Sequence, residues 1–336
     1  MRHDGTETLR QSHVRFGFLR CLRAAGASVP RQPWIRVLCA WWSLGPIGLP
    51  AVGDVAAQQR SDSAFAPSVA DPAYARGTGP VILLDEAHVN FHTRDGRYRA
   101  FADVLEADGY QVRASAEPFT AAVLREARVL AIANALHESN ATEWRLPTPS
   151  AFTDAEIGAV VRWVREGGSL LLIADHMPFP GAASDLARAF GFEFTNGFAM
   201  SRGGTLVFRR SDGTLANHAI TSGRGIDSVA TFTGQAFQAS DDVVPLLILP
   251  PGIVSLEPDV AWEFNETTAR RDVGGHLQGA VRAFGAGRVA VFGEAAMFSA
   301  QRTGTGVPMG MNAPIATQNP EFLRAVLAWL VTDSEP

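Results

Sequence analysis

No lysine occurs in the sequence; apart from histidine, every basic side chain is arginine, a bias of composition rather than a mark of mechanism. Cysteine is nearly absent too, with only Cys21 and Cys39, both close to the N-terminus. Beyond residue 57 the chain therefore has no disulfide, no thiolate metal site and no cysteine nucleophile. Several ordered motifs are also missing. There is no His-Glu-x-x-His, no spaced histidine pair on a predicted helix, no Gly-x-Ser-x-Gly elbow and no phosphate loop. No internal repeat is visible. These absences remove the standard zincin, serine-hydrolase and nucleotide-triphosphatase readings.

What is present begins with an asymmetry. Residues 1–36 carry seven arginines against Asp4 and Glu7, and an apolar run follows from Val37 to Val52, interrupted by Gly45, Pro46, Gly48 and Pro50. Val55-Ala56-Ala57 then supplies small residues. This order of basic, apolar and small segments predicts a signal peptide over 1–57, with a long basic n-region and cleavage before Gln58. The run falls short of the roughly 20 apolar residues of a membrane span, so no transmembrane segment is expected in the mature chain. Export implies a periplasmic or secreted protein. Removing 1–57 takes the formal charge from −5 to about −9, an acidity that argues against nucleic acid as a partner.

Residues 58–79 are rich in Ala, Ser, Asp, Gly and Pro and read as a flexible leader. From residue 80 the pattern alternates. Val81–Leu84, Val129–Ala133, Ser169–Ala174 and Arg288–Gly293 are short apolar runs, as expected of strands buried on both faces. Tyr98–Asp108 has helical spacing and stops at Gly109, and Tyr110–Val112 opens a further strand. Thr153-Asp-Ala-Glu156 is a capping box that starts a helix. Ser184–Phe190 is another helix, and Asn319–Leu330 closes the chain with an amphipathic one. Residues 192–287 instead show short alternating runs split by Gly, Asp and Pro. The fold predicted is an α/β domain over 80–333, flavodoxin-like and doubly wound, with a mainly parallel sheet, helices on both faces and a β-rich extension at 192–287.

Ligands of such sheets bind beyond the carboxyl ends of the strands. Four apolar runs here end in acids, histidines or an amide. The first runs into Asp85-Glu86-Ala87-His88-Val89-Asn90, with His92 behind. The second runs into Asn134, then His137-Glu138, and on to Trp144. The third ends in Asp175-His176 and the fourth in Glu294. Parallel strands would bring these groups to one rim. Glu86, Asp175, His176 and Glu294 are the candidate acid–base residues. Asn90, Asn134 and Trp144 are candidates for substrate binding. Asp85, His88, His137 and Glu138 are candidate ligands of a divalent metal such as zinc. Each group also has a plain structural role open to it. Asp85 can cap the following helix, Glu86 can face water, His88 and His92 can bond to backbone, and Trp144 can pack its loop.

Several segments, in order, resemble the class I glutamine-amidotransferase-like superfamily, and within it uncharacterised exported bacterial members related to trehalose-utilisation-type domains. They are Val81-Ile-Leu-Leu-Asp-Glu-Ala-His88, Gly167-Gly-Ser-Leu-Leu-Leu-Ile-Ala-Asp175-His176, Asn217-His218-Ala219-Ile220-Thr221, Gly287-Arg-Val-Ala-Val-Phe-Gly-Glu294 and Asn319–Leu330. The resemblance implies a nucleophilic cysteine in the turn that here reads Asp175-His176, and a late His-x-Glu pair of which only Glu294 is present. It thus implies the fold without glutaminase activity, and a structural role for His218. Two functions follow as expectations. One is a hydrolase using the His/carboxylate rim, with or without metal, on a carbohydrate, amide or ester. The other is a non-catalytic binding module for a carbohydrate, a peptide or a membrane-complex partner. A purely structural domain is the third.

Overall fold

The computed structural model describes residues 59–201 and 203–332 of the 336. The signal-peptide reading, with Cys21 and Cys39, falls on residues outside this range. Five parallel strands form the centre of the molecule: β1 (Val81–Asp85), β2 (Gln111–Ser115), β3 (Val129–Ala133), β4 (Ser169–Ile173) and β5 (Gly287–Phe292). Their order across the sheet is β2-β1-β3-β4-β5. This is the flavodoxin-like order, in which the chain reverses direction across the sheet between β1 and β3. Beyond β5 the sheet continues with antiparallel strands Leu277–Phe284, Phe237–Ala239 and Phe192–Phe194, and Val244–Ile248 also pairs with Leu277–Phe284.

The inner strands are apolar nearly throughout because both faces are covered, β3 at every position, while the edge strand β2 carries Gln111 and Arg113. Side chains alternate along a strand. Leu83, Leu130, Ile132, Leu170 and Leu172 pack with residues of α2 (Ala121–Leu124), α3 (Asp154–Arg165) and α4 (Phe179–Ala189). Ile82, Leu84, Leu171 and Ile173 pack instead with Phe101 and Val104 of α1 (Arg99–Ala107) and with Phe322 and Leu323 of α5 (Asn319–Val331). The capping box of α3 is formed as expected, with Thr153 and Glu156 bonding reciprocally. Helix α4 begins at Phe179, five residues before the helix expected from the apolar spacing. Pro178 and Pro180 read as breakers in sequence, yet the first turn of a helix tolerates proline because its N–H groups have no partner within the helix.

The rest of the β-rich stretch forms a three-stranded sheet (Phe198–Met200, Val254–Glu257, Ala269–Asp272) and a hairpin of Leu206–Arg209 with Ser228–Thr231. Residues 59–79, expected as a flexible leader, make defined contacts with the domain. Arg60–Ser61 pairs with Ala300–Arg302, which pairs in turn with Pro308–Gly310. The Ala73 amide donates to Asp108, the Asp71 carbonyl accepts from Arg324, and Tyr74 packs edge-on to Tyr110. Composition marked this stretch as polar and small, but these anchors are single contacts without periodicity. No helix among the described residues is long and apolar enough to cross a membrane.

β5 approaches the end of α3 so closely that only glycine fits at its start. A Cβ on Gly287 would lie 2.0 Å from the Gly168 carbonyl oxygen and 2.1 Å from that of Val164. Both obstacles are backbone, so neither can swing aside. Gly287→Ala is expected to destabilise the domain by about 2–3 kcal/mol, measurable by denaturant unfolding; an unchanged midpoint would show that the strand end can shift.

Candidate functional site

A small cavity of about 30 Å³ lies beyond the carboxyl ends of β1, β3 and β4. Each strand contributes through the loop that follows it: His92 and Phe91 after β1, Asn134 and Trp144 after β3, and Asp175, His176 and Phe179 after β4. The antiparallel half adds Thr233 and Trp262. Gln59, Arg97, Ala296, Gln301 and Met309 complete the lining. Two wall residues hold a left-handed backbone without being glycine, Asn134 at φ +50° and Trp262 at φ +69°. Such conformations cost of order 1–3 kcal/mol and concentrate at functional sites.

A chain of hydrogen bonds fixes the protonation pattern of the wall. The Asp175 amide can only donate, and it donates to Asn134 Oδ1 at 2.9 Å. That orients the Asn134 amide so that Nδ2 faces His92 Nδ1, 3.1 Å away. His92 Nδ1 is then the acceptor, and the neutral ring carries its hydrogen on Nε2. Burial pushes the His92 pKa down to about 3, with Arg97 and His176 adding to the effect, so the ring is neutral at any ordinary pH. His176 is fixed the opposite way. Its Nδ1 lies 2.8 Å from the Met177 carbonyl oxygen and donates to it, leaving a lone pair on Nε2 when the ring is neutral. Phe198 stacks on its face at 4.6 Å and Trp262 meets it edge-on at 4.7 Å.

Two carboxyls are buried here. Burial raises the pKa of Asp175 against the opposing influence of His176 and of donors from the His176 and Ala295 amides and the Thr233 hydroxyl. Burial also raises Glu294 well above the carboxylate range, and repulsion from Asp175 adds to this, against the Met297, Ala296 and Phe232 amides. Glu294 is fully buried and turns its oxygens to the amides of Ala296 and Met297, at 3.0 and 2.7 Å. It stands behind the wall, while Asp175 is part of the lining. Burial of this kind favours the protonated, proton-donating form of a carboxyl.

The other candidates separate from this cavity. Asp85 caps no helix. Its carboxylate accepts from the Ala87 amide, His88 Nδ1 and Asn90 Nδ2, and so folds the turn after β1. Asn90 is used up in that turn, its Oδ1 accepting from the His88 amide. Glu86 accepts from the Arg94 amide at 2.7 Å and braces the same loop. Glu86, expected as an acid–base residue, and Asn90, expected to bind substrate, brace this loop and do not line the cavity. The expected metal set does not assemble either. His88 places both ring nitrogens against carboxylates, 2.8 Å from Asp85 and 2.9 Å from Glu156, which leaves none for a metal. His137 accepts from the Ser139 amide and starts a short 3-10 turn that contains Glu138. Among the described residues no group of three His, Cys, Asp or Glu side chains could hold a metal ion. His218 caps the short helix Ala219–Ser222 by accepting from the Ile220 amide.

The Asp85–His88–Glu156 cluster clamps the first loop to α3, with His88 packed against Phe119 and Phe152. Burial opposes charge on His88, but the Asp85 and Glu156 carboxylates outweigh it and hold its pKa above the ordinary 6.5. Burial likewise opposes charge on Glu156, but the Thr153 amide and hydroxyl, His88 and the Phe119 amide bring its pKa down to about 2. The raised His88 therefore stabilises the fold fully below 6.5 and loses that contribution as pH climbs through its folded value. The depressed Glu156 contributes above 4.5 and loses this as pH falls towards about 2. Melting temperature is expected to fall on the alkaline side in the wild type and to lose that slope in His88→Gln; an identical slope in both would remove the clamp from the account.

The sequence matches no protein-family profile and no curated protein. Among solved structures the chain is similar to the mmIFT52 N-terminal domain, with a TM-score of 0.52 and 14% identity over 76% of this chain and 99% of that one. A ThuA-like protein from Bacteroides uniformis aligns with a TM-score of 0.46 at 14% identity, over 79% of this chain and 94% of that one. A GMP synthase protein from Thermoplasma acidophilum aligns with a TM-score of 0.40 at 10% identity, over 74% of this chain and 92% of that one. At 14% identity the likeness to the mmIFT52 domain is one of fold.

Sequence reasoning missed Arg97, Thr233 and Trp262 in the cavity wall. Arg97 lies in the long loop past the end of β1 and stacks its guanidinium 3.8 Å over Phe91. Thr233 and Trp262 come from the β-rich stretch, more than fifty residues beyond the Asp175-His176 turn. The one local hint was a tryptophan in an otherwise polar, turn-rich stretch.

Proposed function

We propose that this chain is a hydrolase with the amidotransferase-like fold but without glutaminase chemistry, acting on a small organic substrate in the cavity at the ends of β1, β3 and β4. Asp175 carries the proposal: it is a buried carboxyl with a raised pKa, in the turn after β4, beside a histidine with a free Nε2. The described residues contain no cysteine, so a thioester route is closed to them. In the proposed reaction His176 Nε2 takes a proton from water as its oxygen bonds to the scissile carbon. Asp175 gives its proton to the departing group as the old bond breaks. His92 donates a hydrogen bond from neutral Nε2–H without competing for the proton. The residues present do not fit a zinc site, and no step is assigned to metal. The wall aromatics suit a carbohydrate, amide or ester with an apolar face, and export would place the reaction in the periplasm or outside the cell.

The test is turnover by the purified protein against a panel of esters, amides and glycosides, compared with His176→Ala. Product released by the wild type and lost in the variant supports the proposal. Ligands that raise the melting temperature without being consumed would instead favour the binding-module reading, which uses the same cavity.

A further inference from the structure

Three polar atoms of the cavity wall are buried and have no partner among the described residues: His92 Nε2, Arg97 Nε and Trp262 Nε1. All three are donors. The His92 hydrogen is placed on Nε2 by the Asp175–Asn134 chain above, and the guanidinium and indole can only donate. One acceptor of the wall, Gln301 Oε1, is also unpartnered. Arg97 bonds to the Gln59 carbonyl at 3.2 Å and makes no ion pair with a carboxylate among the described residues. A half-buried cation and two buried N–H groups thus line a space whose own acceptors, Gln301 Oε1, His176 Nε2 and the Asp175 carboxyl, bond to none of the three, an arrangement that is costly unless something supplies an acceptor. The cavity leaves about 30 Å³ for the centres of water-sized atoms, enough for a small polar group such as a carboxylate.

We infer that this cavity receives the carboxylate of an organic acid, held by Arg97, His92 and Trp262. Arginine is the side chain best matched to that group, and its hydrogen bonds to an anion are shorter and stronger than those between neutral partners. Stacking on Phe91 holds the guanidinium plane in place. His92, kept neutral, adds a donor without a second charge. The inference rests on the cavity being the functional centre. It narrows the substrate of the proposed hydrolase to acids whose scissile bond lies within a few bonds of the carboxylate.

The test is calorimetric titration of the full chain with acetate, glycolate and D-glucuronate, with D-glucose as the uncharged match. Saturable binding of the acids and none of glucose is expected. Arg97→Gln should weaken it roughly tenfold or more, Arg97→Lys less, and Trp262→Phe by several-fold, as charged hydrogen bonds are lost. No binding by any acid, equal binding of glucose, or unchanged affinity in Arg97→Gln would overturn the inference and leave the cavity to water. If Arg97→Gln does not fold, Trp262→Phe decides: affinity equal to wild type overturns it. The two proposals fail separately. Acids that bind while nothing is hydrolysed sink only the hydrolase, and a neutral ester hydrolysed by a protein that ignores carboxylates sinks only this inference.

Discussion

Asp175→Asn is expected to lower turnover by about 10²–10⁴-fold, the usual worth of a positioned general acid, while leaving the fold intact or firmer on the alkaline side. Asparagine keeps an oxygen that can accept from the His176 amide, 2.8 Å from Oδ1, but has no proton to give. The pH profile supplies a signature that a merely structural residue would not show. With a raised pKa, Asp175 works only while protonated, so wild-type activity falls as pH climbs through that value. The falling limb should be gone from whatever activity the asparagine variant retains. Stability should move the other way. An acid whose folded pKa exceeds its unfolded 3.8 costs stability increasingly as pH rises past 3.8, and the cost is complete above the folded value. Removing the charge lifts that cost, so the melting temperature of the variant relative to wild type should improve as pH rises past 3.8. A variant that loses activity and stability together at high pH would make Asp175 a structural residue.

Arg324→Ala is expected to cost about 3–5 kcal/mol of unfolding free energy, as when one partner of a buried ion pair is removed. Asp108 closes α1 and is fully buried; its Oδ1 accepts from Arg324 Nη2 at 2.7 Å and from the Ala73 amide at 2.8 Å. Arg324 also donates to the Asp71 carbonyl. One side chain of α5 thus ties together the end of α1 and the segment before β1. Without it the Asp108 carboxylate stays buried with a single amide donor. The double variant Asp108→Asn/Arg324→Met should recover much of the loss, because the stranded charge is then gone. Denaturant unfolding of the three proteins checks this. A loss under about 1 kcal/mol for Arg324→Ala, the worth of an exposed pair, would show that water reaches Asp108.

Particular elements show how far the sequence was legible. β3, expected at Val129–Ala133, has those bounds, because a strand covered on both faces must be apolar at every position. The α3 capping box was readable since its partners are three residues apart. Asp175 and His176 stood out for the same kind of reason: the turn after a buried strand has few ways to face anything but the sheet edge. His88 and Asp85 stood out equally and proved to be a clamp. Their partner Glu156 lies 68 residues away from His88, and no local pattern announces which acid will meet which histidine.

The sequence by itself determined the buried strands of the parallel sheet, the strand ends that carry polar groups, and the absence of cysteine beyond residue 57. These depend on burial and local spacing, which a short window of residues records. Only the tertiary structure decided which of those groups share a cavity. Asp175, His176, Asn134 and His92 converge because the β2-β1-β3-β4-β5 order sets three loops side by side. Glu86, Asn90, His137 and Glu138 do not line it; Glu86, Asn90 and His137 accept from nearer backbone amides. Arg97 and Trp262 enter because the polypeptide brings remote segments over the sheet edge, and a hydrogen-bond donor without an acceptor becomes visible only once its whole surroundings are in place.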